Sequence, residues 1–407
     1  MKRLLIVFIT LFFISCSFDN KTGIWKDAST IPVDKQDVRI ISENSTAERY
    51  ESISTTEKMF NEEIEATNVS NIKIDEPLKT INWFEHYGIP TNNISNFFYN
   101  GNGVLLSKSS NLGKISSDKN YSSRKIIFYN NNLISHDHKG TIFVYSLGLN
   151  KKIFKYNFYK KNFKDFQKKI NLIINDNVLY AADNLGYIYA INLKDKSIIW
   201  AKNYGIPFRS NLKFTNNQIF LANQDNVIYS IDSLTGEKKW QFATSQTLLK
   251  SDFQNNFALD LINNNLIFLN TNGELYSIDY LSQKINWVLN FKNSAINIDT
   301  ALFLSQPMIL KSNNLIISGE KSLSNYDPIS GVKKWILPSE PISKPIITLS
   351  HTFAVLKNNL LICVDNISGK VIWSQNIFSN IKKRKVVNNF GSITDFKIVN
   401  GKINIYQ

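Results

Sequence analysis

The chain is poor in the residues that build covalent frameworks and metal centres. Its two cysteines, Cys16 and Cys363, exclude a disulfide framework and a cysteine-based zinc site. Four histidines leave little room for a multi-histidine centre. No nucleophile elbow, P-loop or dinucleotide fingerprint is present. There is no collagen period, no long heptad pattern and no series of membrane-length apolar runs. What is there is a chain of 407 residues, 43% hydrophobic and 20% charged. That composition supports a large core and excludes whole-chain disorder. The length suits about two to three average domains or one large repeat domain.

The net charge of +14 is unevenly spread. Residues 17–76 hold 13 acids against 7 bases, so an acidic leader precedes a basic body. A basic body can serve nucleic acid. Here it reads as lysine-rich solvated loops, because the N-terminus is an export signal and argues against a nucleic-acid partner.

Lys2 and Arg3 precede the apolar run Leu4 to Ile14. That run is too short to span a bilayer, which takes roughly 20 residues, and fits a signal peptide. It ends in Phe13-Ile14-Ser15-Cys16, which resembles a bacterial lipobox. The resemblance implies that Cys16 is acylated and becomes the N-terminus of the mature chain, and that the anchor is stable. Ser17 after the cysteine is similar to the signal for outer-membrane sorting. Residues 17–68 read as a flexible acidic tether, with a short helix over Thr56–Ala66. Cys363 sits in a strand-like apolar run, Leu360 to Val364, and reads as a buried hydrophobe.

From about residue 69 a repeat governs the sequence. YIYAINLKDKSIIW, VIYSIDSLTGEKKW, ELYSIDYLSQKINW, LSNYDPISGVKKW and LLICVDNISGKVIW are aligned copies. In each, an Asp or Asn stands eight residues before a Trp: Asn192 and Trp200, Asp232 and Trp240, Asp279 and Trp287, Asp327 and Trp335, Asp365 and Trp373. A weaker copy ends at Phe154, and an N-terminal one pairs Asp75 with Trp83. The alternation in YSID predicts a strand. The Asp then caps a turn, often closed by Gly236, Gly331 or Gly369, and the next strand carries the Trp. For one copy the strands are expected at 170–175, 178–183, 187–192 and 197–202. Four short antiparallel strands per repeat make a propeller blade, and the Trp packs between blades. The repeat tryptophans are therefore structural. Eight blades are preferred, with seven the alternative, since residues 84–123 hold either an insertion or a degenerate blade. The Asp75/Trp83 copy and the C-terminal strands are expected to close the ring within one blade, Asp75 and Trp83 lying on its two outer strands. His136-Asp137-His138 reads as a repeat turn, Asp137 to Gly140, rather than a metal pair.

The pattern resembles the pyrroloquinoline-quinone (PQQ)-type propeller repeat over roughly residues 69–407. With the lipobox, the chain is similar to the lipoprotein family of assembly factors that serve the outer-membrane β-barrel assembly machinery. That resemblance implies an all-β, non-catalytic scaffold at the periplasmic side of the outer membrane, with no cofactor or metal. It implies binding to the POTRA domains of the barrel-forming subunit; contact with unfolded outer-membrane proteins by strand-edge pairing is expected as a second role. Phe208 and Arg209, in Gly205-Ile206-Pro207-Phe208-Arg209-Ser210, are the nearest match to the family's partner-binding segment. The rival is a PQQ-dependent periplasmic dehydrogenase, whose alcohol-oxidising members carry adjacent cysteines that this chain lacks. A different envelope scaffold is a third reading.

Overall fold

The computed structural model describes residues 39–42 (backbone only), 58–67, 72–79, 82–101, 126–159, 163–250, 257–291, 302–379 and 393–406, with isolated positions from 105 to 113. The lipobox with Cys16 and most of the leader lie outside the described residues.

Every regular element described is a strand. Six antiparallel sheets of four strands follow one another along the chain. Blade 1 is Ile127–Tyr129, Asn132–His136, Thr141–Ser146 and Lys151–Asn157; blade 2 is Ile170–Asn175, Val178–Asp183, Tyr187–Asn192 and Ser197–Asn203. Blade 3 is Lys213–Thr215, Gln218–Ala222, Val227–Asp232 and Lys238–Ala243; blade 4 is Phe257–Asp260, Asn265–Leu269, Glu274–Asp279 and Lys284–Asn290. Blade 5 is Ile309–Lys311, Asn314–Ser318, Ser322–Tyr326 and Lys333–Pro338; blade 6 is Ile346–Ile347, His351–Val355, Leu360–Asp365 and Val371–Asn376. A seventh sheet has two strands, Asp395–Val399 and Lys402–Tyr406. The count among the described residues is therefore seven, the alternative to the preferred eight. The first strands of blades 1 to 6 lie beside each other around the centre of the ring.

Each blade is a meander, so its first and third turns share one face of the ring. Backbone bonds stitch these two turns together: Leu147 N to Asn131 O, Leu193 N to Asn177 O, Ser233 N to Asn217 O, Tyr280 N to Asn264 O and Asn366 N to Ser350 O, at 2.9–3.1 Å. Blade 5 has Pro328 in that place, which has no N–H to give. The opposite face carries the second turns and the connectors between blades.

The repeat residues explain the docking. Oδ1 of Asp232, Asp279, Asp327 and Asp365 each accepts two backbone N–H groups of its own turn, and Asn192 does the same. The Trp on the fourth strand then reaches the next blade's turn. Nε1 of Trp200 donates to Ser233 O (2.9 Å), that of Trp287 to Pro328 O (3.2 Å) and that of Trp335 to Asn366 O (3.0 Å). Gly236, Gly331 and Gly369, at φ near 70°, lie flat against these three indoles, where a Cβ would come within 2.5–2.7 Å. Trp240 departs from this. Its partner turn has Gln283, φ 62°, at the glycine position, and its buried Nε1–H finds no acceptor. At the blade 1–2 junction Phe154 packs in the Trp place, and Lys196, φ 59°, stands for the glycine. Cys363 is buried as expected, and burial, helped by the Asp365 charge, pushes its thiol up to about 12.

Part of the leader is seated on the ring. Arg39–Ser42 pairs in parallel with the fourth strand of blade 4. The segment expected as a helix is extended over 58–66: Ile64 bridges Ser374 on the outer strand of blade 6, and Phe60 N donates to Pro338 O. Edge strands offered unpaired backbone groups, and Phe60 and Ile64 gained apolar contacts with the blade 5–6 cluster.

Candidate functional site

The described residues place two features where function would reside, the centre of the ring and the connector face. Residues 83–97 run through the centre. They meet the exposed inner edge of every sheet in turn. Trp83 pairs with Phe128 of blade 1, and Phe84 O accepts from Ile174 N of blade 2 (3.0 Å). Glu85 forms an ion pair with Lys213 of blade 3. Pro90 O accepts from Leu259 N of blade 4 and Thr91 O from Leu310 N of blade 5, both at 3.0 Å. Phe97 N donates to Ile398 O of the seventh sheet (2.8 Å).

Three asparagines do the pairing that a strand would do elsewhere. Asn93 makes a two-bond amide pair with Ile347 of blade 6, each bond 3.0 Å. Nδ2 of Asn92 donates to Phe257 O (2.7 Å) and Met308 O (2.9 Å), while its Oδ1 accepts from Lys213 Nζ (2.6 Å). Asn96 holds Gly401 N (3.1 Å) and Asp75 O (2.7 Å). A primary amide carries one acceptor and two donors, so it can pair with a peptide edge in little space. Lys213 and Glu85 are buried to 0% and 5% side-chain exposure. Burial pushes the Glu85 pKa up and the Lys213 pKa down, against the pull of each partner's opposite charge.

This arrangement corrects the expected ring closure in detail. N- and C-terminal segments do meet in the seventh sheet, but on its inner edge through Phe97 and Val399. Asp75 caps no blade turn; it pairs with Lys311 on the inner strand of blade 5. Trp83 lies at the centre, stacked on Phe97 at 5.9 Å between centroids, with Nε1 donating to His86 O (3.1 Å). The physical reason is that the inner edges were unpaired and the Asn-rich stretch satisfied them, whereas an outer strand would have left them open. Among the described residues the seventh sheet has two strands, and a groove of about 880 Å³ lies beside it, lined by Trp373, Ile72, Ile74, Phe353 and Ile403.

Phe208 and Arg209 lie in the connector between blades 2 and 3. Phe208 is 2% exposed and belongs to the core, edge-on to Tyr204 and Tyr229. Its ring is therefore unavailable to a partner, which corrects that half of the expected site. Its backbone pins the connector, Phe208 N donating to Asp183 O (3.0 Å). Arg209 is half-buried beside the second turn of blade 3, with Nη2 3.5 Å from Gln224 Oε1 and its N–H on Ala222 O. Among the described residues no group of three or more His, Cys, Asp or Glu is placed to hold a metal. Asp137 is a turn cap, its Oδ1 accepting from Lys139 N and Thr141 N. The central segment was missed in the sequence. Its signal was Gly88-Ile89-Pro90 followed by Asn92, Asn93 and Asn96, which is poor strand material rich in peptide-like amides.

The chain is similar to known proteins in the same sense as its repeat. A curated "Outer membrane protein assembly factor BamB" from Legionella pneumophila (strain Paris) is 32% identical over 79 residues, which is 19% of this chain and 19% of that relative's length. The crystal structure of BamB from Moraxella catarrhalis aligns with a TM-score of 0.53 at 13% identity, over 62% of this chain and 75% of that one. A europium-containing methanol dehydrogenase aligns at 0.50 and 12% identity, over 63% and 69%. At such identities both likenesses concern the fold alone. Residues 161–375, more than half of the chain, match the family described as "Outer membrane protein assembly factor BamB", and the chain belongs to that family.

Proposed function

We propose that the chain is a non-catalytic scaffold of outer-membrane β-barrel assembly, held at the periplasmic face of the outer membrane by acylated Cys16. It binds the POTRA domains of the barrel-forming subunit through its connector face and needs no cofactor. The observation that carries the choice of scaffold over dehydrogenase is the filled centre. A ring of blades encloses a small molecule in its central channel. Here residues 83–97 of the chain itself occupy that channel and bond to the blade edges. Family membership and the likeness to BamB support the same reading. Of the pair Phe208 and Arg209, Arg209 remains partly accessible on the connector face. A guanidinium held at a loop suits a carboxylate-bearing partner.

The test is a tagged pull-down from detergent-solubilised envelopes, comparing the natural chain with Arg209→Glu. We expect recovery of a POTRA-containing barrel protein, weakened by the substitution. Recovery without any effect of the substitution would keep the function and discard Arg209. Recovery of no such protein would overturn the function, leaving a quinone-binding assay to separate the dehydrogenase from another envelope scaffold.

A further inference from the structure

The face opposite the connectors carries an ordered set of exposed aliphatic side chains. Two residues after each turn Asp stand Leu234, Leu281, Ile329 and Ile367, in blades 3, 4, 5 and 6. They are 68%, 53%, 51% and 86% exposed. Ile262 and Leu349 add to them from the first turns of blades 4 and 6, at 89% and 62%. Single exposed aliphatics are ordinary on any surface. One at the same repeat position in four consecutive blades is not scatter.

These tips are held rigidly. The N–H of each of the four donates to its turn Asp at 2.9–3.1 Å. The residue just before three of them, Ser233, Pro328 or Asn366, accepts the indole bond from the preceding blade. The turns share one face of a closed ring, so the tips form an arc on a common plane. They are separated from each other and include no aromatic ring. Exposed lysines follow each tip: Lys238 and Lys239, Lys284, Lys333 and Lys334, Lys370. Oδ1 of each turn Asp accepts backbone amides, Asp232 Oδ2 also holds Lys239 at 3.2 Å, and the exposed acid Glu237 is paired with Lys202.

A folded protein partner selects a contiguous, shape-matched patch with aromatic anchors. Coplanar, separated aliphatics backed by flexible cations match a surface that is flat and uniform. The lysine stems can lie along the apolar layer while their ammonium groups reach phosphates. We propose that this turn face rests on a phospholipid bilayer, with the tips of blades 3 to 6 entering the headgroup–acyl boundary. The connector face with Arg209 then points away from the membrane. Blade 2 carries Lys194 at the tip position, so the arc is one-sided and the disc leans.

The test places a photoreactive p-benzoyl-phenylalanine at Leu281, Ile329 or Ile367 of the full chain in native envelopes. Leu248 serves as control: it is 79% exposed on the connector face, near the Lys250–Asp225 ion pair. Each protein must melt like the unsubstituted chain, which its exposed position favours. We expect phospholipid adducts from the three tips at least about tenfold above those from Leu248. Equal lipid adducts from both faces, no lipid adducts from the tips, or protein adducts in their place would each overturn the proposal. Barrel-subunit recovery is read separately with Arg209→Glu, so either reading can fail alone.

Discussion

Trp200 and Trp240 occupy the same repeat position and differ in one bond. Trp200 lies over Gly236 and donates to Ser233 O; Trp240 faces Gln283 and donates to nothing. A Cβ at the glycine position would stand against the indole, so the residue four places after the turn Asp decides whether the bond forms. Trp200→Phe and Trp240→Phe remove similar apolar surface. The first also strands a carbonyl and loses a bond that contributes about 1 kcal/mol, while the second removes a buried orphan donor. Urea unfolding should therefore show Trp200→Phe to be the more destabilising by about 1 kcal/mol; equal midpoints would refute the account. Gly331→Ala should cost more, because φ of 72° and a contact of 2.7 Å to Trp287 both oppose a side chain. A loss of about 2 kcal/mol or more in the same measurement is expected.

Among the elements, the blades were legible and the central segment was not. The strands expected at 170–175, 178–183 and 187–192 have those bounds, and the fourth runs one residue further, to Asn203. Alternation, turn Asp and docking Trp are local signals, so they survive reading in one dimension. The segment 83–97 pairs with residues 165, 216 and 254 positions away through Asn92 and Asn93, and no local pattern announces such partners. Phe208 was misread for a related reason: a connector aromatic is a surface anchor or a core residue depending on what Tyr204 and Tyr229 do beside it. The Glu85–Lys213 pair makes the central segment testable. Lys213→Met would leave a buried carboxylate without its cation and should cost about 3–5 kcal/mol. Glu85→Gln together with Lys213→Met should restore part of that stability, because both charges are then gone. Thermal melts of the single and double variants decide this, and a double variant no better than the single would count against an ion pair at this site.

At the scale of the whole molecule, the ring is closed by a sheet that has two strands among the described residues. Lys402–Tyr406 pairs with Asp395–Val399 along its full length, and that strand in turn meets Phe97. Removing residues 400–407 should unpair the seventh sheet, strip Ile403 and Ile405 from the blade 6 cluster and lower the melting temperature by several degrees. An unchanged melt would mean that the ring closes without it.

The filled centre also has a consequence for the order of assembly. Residues 83–97 precede every blade in the chain, so the axle leaves the ribosome before any spoke of the wheel. It cannot settle until strands from Ile127 to Val399 have arrived, and its asparagines must wait in water, each bonded to solvent. A protein built in this order has many late, long-range contacts, and such topologies fold slowly. Its vulnerable interval is the time between delivery of the axle and arrival of the last spoke.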